Sequence, residues 1–462
     1  MFNRHNYMKL YIPIFIMVAT LSSCNIYKTY KRPDVQTSDL YGKELQVTDT
    51  LSIGRTDWKE LFTDPKLQAL IDSGLANNTD LRIARLKIDE SKALLTSARL
   101  AYLPSVNLAP EGGLYSYKGE PLQKSYQLAA MASWEIDIFG KLTNAKRKAG
   151  ANLEQSEAYR QAVRCGLIAN IADSYYLLLT LDKQLDVARE TETNWKDYIH
   201  VLEVLKKTGR ADETAIRQSE ANYLSVQSEV VRLRQQVKEV ENNLSALLGH
   251  APAMIERGDL DAQSFPDTLL VGIPLDLLKY RPDVRMAEAS LKGALYTTNQ
   301  AYSAFYPTIT LGGSTGWTNT NGGVISNPGA WLFQAVGGIV QPLFNRGANI
   351  ANLKIAKAQQ EEALLTFQQT LYDAGAEVNN AVTQWQSSRI QIDLSGKQVE
   401  ALDIALENIR LRMKYGNLNY LEVLSARQML LSAQMNYYSS CFEEIQSVIT
   451  LFRALGGGSE YR

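Results

Sequence analysis

Hydrophobic and polar positions follow two rhythms along this chain. Leu167, Ile171, Tyr175, Leu178, Leu181, Leu185 and Ala188 recur at helical spacing, the period of a helix with one buried stripe. Elsewhere the period is two: Tyr126, Leu128, Ala130, Ala132, Trp134, Ile136 and Ile138 alternate with Gln127, Ala129, Met131, Ser133, Glu135 and Asp137. That alternation predicts a strand with one apolar and one mostly polar face. Ile309, Leu311, Thr315 and Trp317 lead into a glycine-rich stretch, and Trp331, Phe333, Ala335 and Ile339 lead out of it. Glycine there suits sharp turns and close strand approach. Each strand has the length, about ten residues, that a tilted strand needs to cross a bilayer.

The helical segments are unusually long. Proline is absent between Pro121 and Pro252 and again after Pro342, and between Lys141 and Lys207 the only glycines are Gly150 and Gly166. A single helix over that stretch measures roughly 100 Å, and a counterpart is predicted from Ala348 to Lys414. Gly209 and Gly416 then read as turns, with return helices expected over Asp212 to Leu248 and Tyr420 to Leu455. Two further helices, Asp80 to Tyr102 and Asp283 to Tyr306, stop at Pro104 and Pro307, because proline disfavours a helical residue before it. Asp80 and Asp283 are expected to cap them. Helices this long cannot bury a face inside a compact domain and must pack along one another.

The chain is one unit written twice. Asp80-Leu81-Arg82-Ile83-Ala84 matches Asp283-Val284-Arg285-Met286-Ala287, and Ala98, Ala101 and Pro104 match Ala301, Ala304 and Pro307 at the same offset of 203. Ile138-Phe139-Gly140 pairs with Leu343-Phe344-Asn345 at 205, and Lys207, Gly209, Leu224, Ser225 and Gln227 pair with Lys414, Gly416, Leu431, Ser432 and Gln434 at 207. Ordered matches with a slowly drifting offset mark a duplication with small loop insertions. The fold class that follows is mainly α with a small β part, a helix–strand–strand–helix–helix unit repeated. The expected organisation is a leader at 1–23, an extended anchor segment at 24–57, and a first repeat at 58–250, with a β-hairpin near 104–138 and long helices near 141–248. A linker at 251–272 leads to a second repeat at 273–456, with a β-hairpin near 307–342 and long helices near 346–455, before a tail at 457–462.

Composition narrows the function. With 48 basic against 49 acidic side chains, the chain lacks the basic excess of a nucleic-acid binder. His5, His200, His250 and Cys24, Cys165, Cys441 are scattered, so neither metal-ligand spacing nor a disulfide framework can be built. Gly140-Lys141 and Gly396-Lys397 lack the upstream glycine of a phosphate loop. No catalytic constellation survives, and neither an enzyme nor a cofactor is expected. The absence of Met or His clusters speaks slightly against a system dedicated to metals.

At the start, Arg4, His5 and Lys9 precede an apolar run from Leu10 to Leu21. The run fits a secretory leader and falls short of the roughly 20 residues that a spanning helix takes. Met1 and Met8 are both candidate starts. Leu21-Ser22-Ser23-Cys24 resembles a bacterial lipobox, which implies a covalent lipid on Cys24. Asn25 in place of Asp then implies sorting to the outer membrane.

Four strands are too few to close a barrel, and open sheet edges are not tolerated in lipid. Strands from several copies must combine, to eight in a dimer, twelve in a trimer or sixteen in a tetramer. Eight would be nearly filled by side chains, and strand arithmetic leaves twelve and sixteen both open. The lipobox, the doubled unit, Tyr280-Arg281-Pro282-Asp283-Val284 and Val340-Gln341-Pro342-Leu343-Phe344-Asn345 together resemble the TolC-like outer-membrane efflux proteins, most closely the lipoprotein branch serving RND multidrug pumps. The resemblance implies a homotrimer with a shared 12-stranded transmembrane β-barrel in outer-membrane lipid, continued by a long α-helical periplasmic tunnel. It further implies a periplasmic adaptor and an inner-membrane RND-type pump as partners, and drugs or other toxic compounds as cargo.

In that family the tunnel closes near the helix turns. The matching positions are Gly209, Arg210 and Asp212 in the first turn and Gly416, Asn417 and Asn419 in the second, the expected contacts for adaptor and pump. Alignment on Gly416 places the family's first acidic ring at Glu422, whereas Ser425 stands at the second acidic position and puts a second ring in doubt. Trp134, Trp317 and Trp331 suit either an interfacial aromatic belt or strand packing. The rival reading is a lipid-anchored periplasmic coiled-coil adaptor or scaffold that never crosses the outer membrane.

Overall fold

The computed structural model describes residues 27–33, 57–116, 118–119, 122–263, 281–319, 330–414 and 420–457. In chain order these form α1 (Trp58–Leu61), α2 (Pro65–Asn77), α3 (Thr79–Leu100), β1 (Ser105–Tyr115), β2 (Gln123–Ile136), α4 (Lys141–Lys207) and α5 (Glu213–Leu247). Then follow α6 (Pro282–Ser303), β3 (Thr308–Asn319), β4 (Ala330–Val340), α7 (Ala348–Lys414) and α8 (Tyr420–Ala454). The duplication is visible in the lengths. Helices α3 and α6 have 22 residues each, α4 and α7 have 67 each, and α5 and α8 have 35 each. Cys24, Gly416, Asn417 and Asn419 lie outside the described residues.

Two helix caps differ from expectation. Asn78 rather than Asp80 caps α3, its Oδ1 accepting from the Leu81 amide at 3.0 Å, because the helix already begins at Thr79. Asp283 likewise sits inside α6, which starts at Pro282, where the ring presets the helical φ. Its carboxylate accepts from the adjacent Val284 amide at 2.9 Å and also holds Arg281, with Nε at 3.0 Å and Nη2 at 2.7 Å.

The contacts divide the chain into two compact units, and each draws on both copies of the repeat. The first comprises Met1–Asp34, Ile88–Gln155 and Ala287–Phe367; the second comprises Val35–Lys87, Ser156–Met286 and Gln368–Arg462.

In the first unit the strands form one antiparallel sheet in the order β1-β2-β3-β4. The register runs from Ser105↔Ser133 in β1·β2, through Ile136↔Ile309 in β2·β3, to Trp317↔Trp331 in β3·β4. It places Val106, Leu108 and Leu114 beside Leu128, Ala130 and Trp134, and these beside Leu311, Trp317, Trp331, Phe333 and Ile339, all on one face. Gln127, Met131, Ser133, Glu135, Ser314, Thr318 and Gln334 occupy the other. Gly316 lies opposite Ala129, and a Cβ there would come within 2.0 Å of the Leu128 carbonyl oxygen, so this crossing requires glycine.

In the second unit the long helices pack on themselves. Leu181, Leu185 and Ala188 of α4 meet Val230 and Leu233 of α5 in one buried cluster. Trp195, Tyr198 and Leu202 meet Ala215, Ile216, Val226, Val423, Leu424 and Leu431 in another. Polar pins fix the segment after α5. Arg257 binds Asp182 through Nε at 2.5 Å and Nη2 at 3.0 Å, and Glu241 through Nη1 at 2.7 Å. Tyr175 donates to Asp64 at 2.5 Å while accepting from the Gly258 amide at 2.9 Å.

Candidate functional site

The apolar face of the sheet is exposed. Phe333 is 75% exposed, and Val106, Leu108, Leu114, Trp331 and Ile339 are exposed with it. Large apolar side chains on an open sheet face need a non-aqueous neighbour. The tryptophans mark two levels on this face. Trp134 lies at the end of β2 near Tyr102, whose carbonyl oxygen accepts from its Nε1 at 2.8 Å. Trp317 and Trp331 form an edge-to-face pair with centroids 5.1 Å apart, level with Leu128. The six-residue step from Leu128 to Trp134 spans roughly 20 Å of strand. The tryptophans thus pack against their neighbours and stand partly exposed.

A short segment ahead of this region is fastened to the first unit. Tyr27 donates its hydroxyl to the Phe139 carbonyl oxygen, and Tyr30 donates to Glu288 at 3.1 Å. Arg32 approaches Glu288 at 3.7 Å, and Asn299 donates to the Lys28 carbonyl oxygen at 3.2 Å. Burial, then Tyr306 and Asp137, push the Tyr27 hydroxyl up to about 12, so it stays a donor at neutral pH. Tyr30, Lys31, Leu291, Leu295 and Leu364 line an open cavity of about 450 Å³ beside the segment.

The helix turn lies in the second unit. Gly209 has φ +71°; the Arg210 amide reaches the Leu205 carbonyl oxygen at 2.9 Å, and the Gly209 amide reaches that of Lys206 at 3.0 Å. These two bonds form a Schellman stop, which needs a left-handed residue. Asp212 restarts the chain as the cap of α5, accepting from the Ala215 amide at 2.8 Å. Lys206, through its hydrogen bond, and Arg217 hold the Glu213 carboxyl below its ordinary range. The hydroxyl of Tyr420, at the start of α8, donates to the Arg210 carbonyl oxygen.

Glu422 stands in the first turn of α8, exposed along with Leu421 and Ser425, whereas Val423, Leu424, Ala426 and Arg427 point inward. Arg412 of α7 approaches it at 3.8 Å. The buried Arg427 was missed by pattern reading. Its guanidinium lies 5.4 Å from the Trp195 centroid and 5.2 Å from that of Tyr198. Arg427 Nε and Tyr198 Oη have no hydrogen-bond partner among the described residues. Burial, then the charge of Arg410, pull Arg427 down to about 10, against Tyr198 and Asp197. The spacing Val423, Arg427, Leu431 puts this cation in an apolar stripe, and that conflict was the available signal.

Neither Cys165 nor Cys441 is in a disulfide, and burial pushes Cys441 up to about 11. No described helix is long and apolar enough to cross a membrane.

A model of the family described as outer membrane efflux protein matches residues 70–250 and 273–457. The chain is 29% identical over 450 residues to the probable outer membrane lipoprotein SilC of Salmonella typhimurium, covering 96% of this chain and 97% of that protein. It is 27% identical over 449 residues to the cation efflux system protein CusC of Escherichia coli K12, covering 96% and 98%. The open-state structure of the MtrE outer membrane channel of Neisseria gonorrhoeae superposes with a TM-score of 0.85 at 26% identity, covering 94% and 98%.

Proposed function

We infer that this chain, which belongs to the outer membrane efflux protein family and is an outer-membrane efflux channel, works as a homotrimeric passive duct of a tripartite export system. Three copies would supply twelve strands to one barrel in outer-membrane lipid, and the long helices would line a tunnel through the periplasm. The observation that carries this reading is the four-stranded sheet with one exposed apolar face and, among the described residues, two edges without a strand partner, β1 and β4. Such a sheet is untenable alone in lipid, where every backbone group needs a partner. Copies joined edge to edge meet that demand. A water-filled lumen needs lining, not a nucleophile, so the duct itself performs no catalysis and holds no cofactor. A periplasmic adaptor and an inner-membrane RND-type pump hand small toxic compounds to it, touching Gly209, Arg210 and Asp212 in the first turn and Gly416, Asn417 and Asn419 in the second. A lipid on Cys24 anchors each subunit.

Glu422 serves as the periplasmic gate residue in this reading. A carboxylate from each copy, converging on one axis, favours cations over anions. Arg412, at 3.8 Å, neutralises part of that charge. The test combines stoichiometry with conductance. Solubilised outer membranes should yield a particle of three subunits that conducts in planar bilayers. In Glu422→Ala the cation-to-anion permeability ratio should fall by about twofold or more. An unchanged ratio removes Glu422 from the gate, and conducting single subunits remove the trimer.

A further inference from the structure

The duplication lets one junction within the chain be compared with its unfilled counterpart. We propose that Leu343 and Phe344, between β4 and α7, form a docking knob for a second copy of this chain. The knob seats on Leu103 of that copy, between its α3 and β1. This rests on the trimer reading above and names the residues that join its subunits.

The filled junction lies within one chain. Strand β2 pairs with β3 from Tyr126↔Asn319 to Ile136↔Ile309. Just beyond, Phe139 stacks on Tyr306, with ring centroids 5.0 Å apart and planes at 13°. Asn299 donates to the buried Asn144 at 3.2 Å, and Lys292 pairs with Glu154 at 2.7 Å. The β2–α4 side of the first repeat is thus sealed against the α6–β3 side of the second.

The sequence correspondence transfers each partner. Phe139 matches Phe344, and Tyr306 matches Leu103 through the Pro307 and Pro104 alignment. Neither counterpart is covered. Leu343 is 93% exposed, Phe344 87% and Leu103 61%. The adjoining strands β4 and β1 are the two edges of the sheet. The faces agree as well: Leu108 on β1 and Ile339 on β4 lie on the same apolar side, so edge pairing between copies continues one apolar surface. Since β4 of one copy meets β1 of the next, the contact is head-to-tail, the kind that builds a ring when the rotation between copies closes, as the trimer reading requires.

The test is cysteine cross-linking in outer membranes, in a chain carrying Cys165→Ala and Cys441→Ala with Cys24 retained. Leu103→Cys combined with Phe344→Cys should, on oxidation or with a short bismaleimide, shift the chain from monomer to dimer and trimer bands on a denaturing gel. Each single variant should remain monomeric. Phe139→Cys with Tyr306→Cys is the internal control, linking within one chain without a mass increase. A particle of three subunits whose control pair links while the 103/344 pair stays monomeric overturns the knob and leaves the trimer standing. Solitary subunits in mild detergent overturn both. Phe344→Asp should lose the trimer in mild detergent; a variant trimer as stable as the parent also overturns the proposal.

Discussion

The sheet and the long-helix clusters dispose of their apolar residues in opposite senses. Around α4, α5 and α8 one apolar stripe turns inward, with Trp195, Leu202 and Leu233 buried among their neighbours, while Leu224, Val231 and Leu421 stay exposed on the outer side. On the sheet, Phe333, Trp331 and Leu108 turn outward and stay exposed. One polypeptide is thus written for two solvents. The helical part excludes water by packing on itself, as soluble proteins do. The sheet leaves apolar side chains uncovered on one face and carries polar ones on the other, the pattern suited to hydrocarbon on one side and water on the other. Composition averaged over the chain hides this division, which appears only when the period of the pattern is read segment by segment.

That contrast can be broken first at the helical core. Trp195→Ala removes a buried indole and the platform under Arg427, and should cost about 3–5 kcal/mol, read by urea unfolding followed by circular dichroism. Next comes the outward face. Phe333→Arg places a cation toward lipid and should cost about 2–4 kcal/mol, whereas Gln334→Arg on the polar face should cost far less; insertion into lipid vesicles separates them. Equal losses would dissolve the distinction between the faces.

A subtler probe is Asp173, whose carboxyl is raised to about 6 by burial, against the pull of Arg453. A carboxyl raised in the folded state favours folding most when both states are protonated, and that advantage disappears as pH rises through the folded value. Asp173→Asn should therefore be more stable than the parent at pH 8 by about 1–3 kcal/mol and indistinguishable from it below the ordinary aspartate range. Thermal unfolding across pH measures the difference. The smallest effect belongs to Asp212→Ala, which strips the cap from α5 and should cost about 1 kcal/mol; amide exchange of its first turn would report the fraying.

The element boundaries were legible because this chain punctuates so sparingly. With proline excluded from two long stretches and glycine rare within them, α4 and α7 run over the expected Lys141–Lys207 and Ala348–Lys414. The strand faces followed from alternation, since β2 shows one apolar set along most of its length. The caps were less legible, because Asn78 and Asp80 are both acceptable capping chemistry and only the backbone decides which one sits outside the helix. Side-chain partners distant in sequence were not legible at all. Arg281 reaches Glu377 at 2.7 Å and the Ala454 carbonyl oxygen at 2.5 Å, and no local pattern around residue 281 announces either. Arg412, now seen beside Glu422, is likewise a product of antiparallel helices and not of spacing.

The contact between Tyr420 and Arg210 has a mechanical consequence. One phenol oxygen yokes the entry of the fourth long helix to the bend that joins the first two, although 210 positions separate them along the backbone. That tie joins the start of α8 directly to the bend before α5, by a route the backbone does not provide. Tyr420→Phe would remove the one oxygen that makes it.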